Sequence, residues 1–408
     1  MNCIFAFMMI YCRMSNAASE RYYGEFLKVA FGNEVKFGLR TRTSMYSLKH
    51  SKPLLVTSGD FGYVDGTLIK NNDLYINTIE VKTYNVVNET LPDIQEQSVV
   101  RRNPENISAI VYVIELCNLP AEDLKTIKLQ ISNLNKYMRT CTFNRFKLSD
   151  TSTQVVGPIQ LPCSSLSHNY NYYDSLCSFN DLYMWAQYAI DYTRNIQGID
   201  GMNYNYQLFI LPTGTPCTWA GLGMIGCKTN TCYTWYNGIY GSNLSVLLHE
   251  LGHNFGLEHS GTPENAYGDK SCVMGSCCET RCWNSPQTWF LGITKPIQTL
   301  NASSITKGRK YMFAIPAHIT NTRNFVRLQF TSAAYHISFK RPISYDQGLP
   351  SNYKNKVFIH KVMANSKQSL LMFILSPGKS AYLENNTIYI SFINISTRNE
   401  AVISIVHR

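Results

Sequence analysis

The chain has 408 residues, of which 45% are hydrophobic and 12% aromatic, so it has the length for two or three domains and the apolar content for a sizeable core. Its formal net charge of +10 is not gathered into a dense Lys/Arg run or an aromatic-basic motif. That argues against nucleic-acid binding and fits a solvated basic surface, compatible with acidic glycans or matrix.

The N-terminal sequence MNCIFAFMMIYCRMSNAASE carries a short apolar run from Cys3 to Cys12, then the small residues Ser15 and Ala17 at the spacing of a cleavage site. It predicts a secretory signal peptide over residues 1–17, although no Lys or Arg precedes the apolar run and Arg13 follows it. No other stretch is apolar for long enough to span a bilayer, so no transmembrane segment is expected. Residues 18–105 read as short strands, among them KPLLVTSG and GTLIKNNDLYINTIEVKTYNVV, and are assigned to a β-rich, propeptide-like region. Arg101-Arg102 near its end is either a processing site or a pair of exposed linker arginines.

Strand and helix signals alternate over residues 106–298. ISAIVYVIEL, from Ile107 to Leu116, fits a buried strand. Pro120 opens a helix-like segment in which Leu124, Ile127, Ile131, Leu134 and Met138 share one face. TQVVGPIQLPC reads as a strand. A second helix begins near Asn180, with Ser178 and Asp181 as a capping box and Leu182, Trp185, Ala186 and Ala189 as its apolar stripe. YQLFILPTG reads as another buried strand, and the whole order predicts an α/β layer. Over residues 299–408 the pattern changes to short alternating runs, such as FVRLQF, AYHISFKR, KVFIHKV and TIYISFI, which predict a β-rich, sandwich-like C-terminal domain.

Two of the thirteen cysteines fall in the expected leader, and the other eleven lie between Cys117 and Cys282. Such a concentration predicts disulfides in an oxidising compartment, with at least one thiol left over by the odd count. Sequons at Asn88, Asn106, Asn243, Asn301, Asn385 and Asn394 favour the same pathway, so a secreted, extracellular glycoprotein is expected. Where Cys272, Cys277, Cys278 and Cys282 crowd together, disulfides are the preferred reading over a zinc cluster.

HELGHNFGLEH, from His249 to His259, carries the chemistry. SNLSVLLHELGHNF is helical by pattern, capped by Asn243 or Ser242, with Leu247, Leu248, Leu251 and Phe255 as apolar surface. His249 and His253, four residues apart, lie on one helix face and can share a zinc ion. Gly256 permits a left-handed turn that swings the chain back and delivers His259 as third ligand. Three protein ligands leave a fourth position for water, as in catalytic zinc sites. Glu250 is placed as general base toward that water, whose pKa the ion lowers toward about 7. His50, His168, His318, His336, His360 and His407 read as ordinary surface or core residues.

With Met274 further on in YGDKSCVMGS, the extended motif resembles the metzincin clan of zinc endopeptidases. The flanks AIVYVIELCNLP, YMRTCTFNRFKL, VVGPIQLPC, WNSPQTWFLGI and YHISFKRPISYDQGLPSNYKNKVFIHKV are similar to its gametolysin (peptidase M11) family, from about residue 107 to the C-terminus. Members of that family are secreted proteases that digest cell-wall glycoproteins in green algae. The resemblance implies a metzincin catalytic domain with His249, His253 and His259 as zinc ligands, Glu250 as catalytic acid/base and Met274 in a turn beneath them. It also implies that TWAGLGMIGCKTNTCYTWYNG holds an edge strand to which extended substrate is added. No tyrosine stands two residues after Met274, so the extra tyrosine ligand of some metzincins is not supplied there; Tyr267 is a loose substitute. Residues 18–116 contain no cysteine, so any latency conferred by the N-terminal region is expected to come from covering the cleft or from a non-thiol ligand such as Asp60 or Asp65. The expected function is a secreted zinc metalloendopeptidase acting on matrix or cell-wall (glyco)proteins. The alternatives are a catalytically weak matrix- or glycan-binding protein on the same scaffold, and a zinc hydrolase of another bond type.

Overall fold

The computed structural model describes residues 20–82 and 106–408, apart from short stretches at 32–33, 42–43, 51–53, 55, 57–59, 70–72, 166–169, 172–176, 228–231, 302 and 365. The expected signal peptide, Asn88, Arg101-Arg102 and His168 lie outside the described residues.

Five N-terminal strands, β1 (Glu20–Phe31), β2 (Glu34–Arg40), β3 (Met45–Lys49), β4 (Phe61–Leu68) and β5 (Asp73–Lys82), close into a barrel in the order β1-β2-β3-β5-β4. β3 and β5 run parallel and the other pairs antiparallel. Closure removes free sheet edges. Side chains alternate along β1 with the period of two that a strand imposes. Phe26 joins the barrel core of Leu39, Val64 and Leu74, while Leu27 and Val29, with Met45 of β3, are buried in the core of the next layer.

That layer comprises β6 (Asn106–Leu116), α1 (Leu124–Cys141), β7 (Lys147–Leu161), a short β8 (Ser164–Ser165) and β9 (Tyr170–Asn171) ladder, α2 (Phe179–Gln197), β10 (Tyr206–Leu211), β11 (Gly221–Gly223) and β12 (Cys232–Asn237). The sheet order is β11-β12-β10-β6-β7, parallel except at the edge, where β11 runs antiparallel to β12. Residues Ala109–Ile114 and Tyr206–Leu211 are buried throughout, which is why these strands read as nearly continuous apolar runs, broken only by Gln207. α1 starts at Leu124 under an Asp123 cap rather than at Pro120. α2 begins at Phe179, its capping box formed by Ser178 and Asp181, and ends on Gly198 in the left-handed conformation. Cys117–Cys163, Cys141–Cys282, Cys177–Cys217, Cys227–Cys232 and Cys277–Cys278 are disulfide-bonded, and Cys272 is a buried free thiol. The Cys272–Cys282 crowd is therefore taken up by disulfides, with Cys272 left over.

α3 (Leu244–Asn254) follows, then β13 (Ser260–Gly261) and α4 (Ser285–Phe290). The C-terminal strands are β14 (Lys295–Asn301), β15 (Lys310–Ile315), β16 (Arg323–Gln329), β17 (Ala333–Lys340), β18 (Lys356–Met363), β19 (Ser369–Leu375), β20 (Ser380–Leu383), β21 (Ile388–Ile395) and β22 (Ala401–His407). One sheet runs β13-β19-β18-β17-β16-β14 and the other β15-β22-β21-β20. Leu328, Ile337 and Ile359 from the first share one apolar core with Ile390, Phe392 and Ile403 from the second. The molecule is thus a strand-rich mixed α/β structure. The larger sheet reaches across residue 298: β14 begins at Lys295, and β13 sits directly after the histidine motif.

Candidate metal centre

Asn243 starts α3, and its side-chain oxygen accepts from the Ser245 and Val246 N–H groups, satisfying two donors that a helix N-terminus leaves unpaired. Leu247, Leu248 and Leu251 are fully buried and fix the rotation of the helix. His249, partly exposed, and His253, buried, then project together, with ring centroids 4.9 Å apart. Gly256 ends the helix at φ 87°, a conformation that strains any residue with a Cβ. The Leu257 N–H bonds to the Gly252 carbonyl at 3.0 Å, and the chain turns back to bring His259 beside the other two rings.

One ligand nitrogen from each histidine lies within 4.8 Å of the others, and His253 Nε2 and His259 Nε2 are 3.1 Å apart. His249 Nδ1 is 2.8 Å from the Val273 carbonyl and His253 Nδ1 is 2.9 Å from the Leu257 carbonyl. A carbonyl only accepts, so each Nδ1 carries the proton and each Nε2 keeps its lone pair for the shared point. Burial, only partly offset by the Val273 carbonyl, lowers His249 to about 4; burial and the His249 ring lower His259 to about 3. Burial, with both neighbouring rings adding to it, holds His253 well below the usual range. Three neutral imidazoles facing one point fit a zinc ion and do not fit the oxygen-seeking cations calcium and magnesium.

Glu250 is buried on the same helix, below β11. A Cβ at Gly221 would stand 2.6 Å from Glu250 Cγ, and one at Gly223 would stand 2.8 Å from the Glu250 carbonyl oxygen. Only glycine lets the edge strand close to this distance. Burial raises the Glu250 carboxyl to about 8, against the opposing hydrogen bond from the Gly223 N–H. Beneath the helix, a Cβ at Gly252 would lie 2.4 Å from Met274 Sδ, so the glycine within the histidine motif is the seat of that methionine.

The sequence-predicted residues His249, His253, His259, Glu250 and Met274 are therefore brought together. Tyr267 joins them: its ring centroid is 4.1 Å from that of His259 and 6.1 Å from that of His249. Burial, then the charge of Glu250, pushes its phenol above the ordinary range. Asp65 is ion-paired with Arg21 on the barrel, and the histidine cluster includes neither Asp65 nor Asp60. β11 lies inside the stretch that the resemblance marks as an edge strand, and the feature not singled out there is its GLG, two glycines alternating within a strand pattern. Sequence reading also overlooked the neighbour on the far side of that edge. Val29 of β1 bridges to Met224, the Ile225 N–H bonds to the Lys28 carbonyl at 2.8 Å, and Lys28 Nζ is 2.9 Å from Glu258 Oε1.

The gametolysin peptidase M11 family model matches residues 113–376. The autolysin of Chlamydomonas reinhardtii is 24% identical over 363 residues, an alignment covering 65% of this chain and 57% of that relative. The chain thus spans little more than half of the relative it matches. On the strength of a family match extending from β6 to β19 and enclosing the whole histidine cluster, the chain belongs to the gametolysin peptidase M11 family.

Proposed function

We propose that the chain is a secreted zinc metalloendopeptidase that cleaves extracellular matrix or cell-wall (glyco)proteins. The observation that carries this reading is the convergence of three neutral imidazoles beside a buried glutamate, under a glycine-lined sheet edge. His249, His253 and His259 would hold the ion. The chemistry a zinc ion supplies when bound is Lewis acidity, which acidifies water and polarises a carbonyl. Glu250, beside the three histidines, would be in its carboxylate form when they hold a cation. Glu250 then takes a proton from the attacking water and returns it to the departing amine. The groups of the β11 edge that neither Glu250 nor β1 engages would receive an extended substrate as an added strand, placing the scissile bond over Glu250. Tyr267 packs against His259 and limits the ring's rotation.

In this reading residues 18–105 are a propeptide-like region, 106–298 a metzincin catalytic domain with Met274 in the turn beneath the ligands, and 299–408 a sandwich-like domain. Secretion is supported by the five disulfides among the described residues and by exposed sequons at Asn301, Asn385 and Asn394. The name autolysin borne by the relative agrees with a cell-wall substrate. No helix among the described residues is long and apolar enough to cross a membrane. The test is elemental analysis of the purified chain with an assay on an unstructured protein. One zinc per chain is expected, with cleavage lost to a chelator and restored by zinc; cleavage by metal-free protein would overturn the reading.

A further inference from the structure

The segment that carries the third histidine is held from outside the α/β layer. Ser260 and Gly261, directly after His259, pair in parallel with Ser369 and Leu370 of β19. The residue that follows the ligand is thus the edge of the C-terminal sheet. Behind this pairing lies a fully buried polar hub centred on Asp269. Asp269 Oδ1 accepts from the Ser271 N–H at 2.8 Å and the Ser271 hydroxyl at 2.6 Å. Its Oδ2 accepts from the Ser260 hydroxyl at 2.6 Å and from Asn284 Nδ2 at 3.1 Å, and lies 3.0 Å from His360 Nε2 of β18. The Ser369 hydroxyl donates to Ser260 Oγ at 2.8 Å, and Asn284 Nδ2 reaches both serine oxygens, at 2.8 and 2.9 Å. On the other flank of the ligand, Gln287 Nε2 donates to the Glu258 carbonyl at 2.9 Å.

Burial alone would neutralise Asp269, but His360 and the serine hydroxyls hold its carboxyl well below the usual range. A buried ionic hub adds little net stability over an apolar core of the same shape, so stability alone does not account for it. What it does fix is geometry. It pins the residue after His259 to two strands of the C-terminal sheet, while Gln287 pins the residue before it. We propose that Asp269, with His360 and Ser369 supplied by the C-terminal sheet, is the positioning residue for His259, so that this sheet is a working part of the metal centre and not a separate module. The inference rests on the three histidines being metal donors.

The test uses the full chain. Zinc affinity is measured by chelator competition, and donor geometry by the visible absorption band of the cobalt-substituted protein. Asp269→Asn is expected to weaken zinc binding about tenfold or more, the scale of lost outer-shell support in metal sites, and to shift the cobalt band. Ser369→Ala and His360→Gln should act in the same direction to a smaller degree, and they decide the matter if Asp269→Asn does not fold. Ile390→Ala, in the shared apolar core away from the hub, should lower the Tm while leaving zinc affinity and the cobalt band as in the parent. Folded hub variants with parental affinity and spectrum would overturn the proposal. So would an Ile390→Ala variant that loses zinc in proportion to its loss of Tm, since the hub would then be merely structural. His259→Ala separates the two levels: if it too binds zinc normally, the reading of the histidines as donors has failed, and this inference falls with it.

Discussion

Glu250 and Gly221 share so little space that one methyl group decides whether the carboxylate keeps its place. Gly221→Ala should displace it, lowering kcat by about 10²-fold, the scale of an ångström's misplacement in an active site, with zinc content unchanged. Glu250→Gln keeps the shape and removes the proposed base. It should retain zinc and lose about 10³-fold in kcat, within the usual range for general acid–base catalysis. Turnover within a few-fold of the parent would assign the proton to another group. The histidine motif was legible in the sequence because its relations are local: a four-residue helical interval, an Asn243 cap and a glycine at the helix end. The edge-strand stretch and Tyr267 were marked by the resemblance, but the close approach of Gly221 and Gly223 to Glu250 and the ring contact of Tyr267 with His259 were not legible, because they depend on how separate segments pack against α3. Nothing in the residue types of Asp269 or His360, the latter grouped with ordinary surface or core histidines, announced the hub that joins them.

At the level of elements, strands with unbroken apolar runs were readable one by one, whereas their partners were not. Barrel closure and the β13–β19 pairing join residues far apart in the chain, and periodicity carries no information about such partners. The contact of β1 with the end of β11 bears on latency. If the barrel covers the cleft, loosening it should raise the proposed activity. Val29 faces away from the barrel core and into the layer beside Met224, so Val29→Asp should weaken docking while sparing the barrel. A several-fold rise in kcat/KM of the uncut chain on an unstructured protein is expected; an unchanged or lower value in a folded variant would remove the covering role. Leu27, Val29 and Met45 each bury an apolar side chain at this contact, worth about 2 kcal/mol apiece. A cut after Arg102 should therefore leave the N-terminal fragment bound, co-eluting with the remainder until mild denaturant is added.

For the whole molecule, burial of neutral histidines sets the response to acid. His249, His253, His259, His318 and His336 all have their ring pKa lowered mainly by burial. Between about pH 6.5, the value for an unfolded histidine, and about pH 4, the unfolded chain binds protons that the folded chain refuses. Stability is therefore lost as pH falls through this window. Glu250 and Asp346 act the other way, because burial raises their carboxyls and the folded state keeps the proton. Among the described residues, five such groups against two leave the histidines in control. The Tm of chelator-treated protein should fall between pH 7 and pH 5 in a thermal melt followed by circular dichroism; a flat or rising Tm would mean that the rings are not buried in neutral form. The contribution of Asp269, whose carboxyl is depressed, is lost only below about pH 4, outside this range.

The Cys141–Cys282 bond closes a loop that contains His249, Glu250, His253, His259 and Met274. If the proposed activity holds, the chain at high concentration meets its own copies, and its surface turns come within reach of their candidate sites. One cut anywhere inside this loop leaves the two pieces covalently tied, each donor still anchored on both sides of the break by the disulfide or by the unbroken chain. A preparation that looks fragmented on a reducing gel would run as a single species without reductant and carry its full donor set. Wear by self-digestion would then show first as a change of electrophoretic pattern, and only after a second cut as loss of metal.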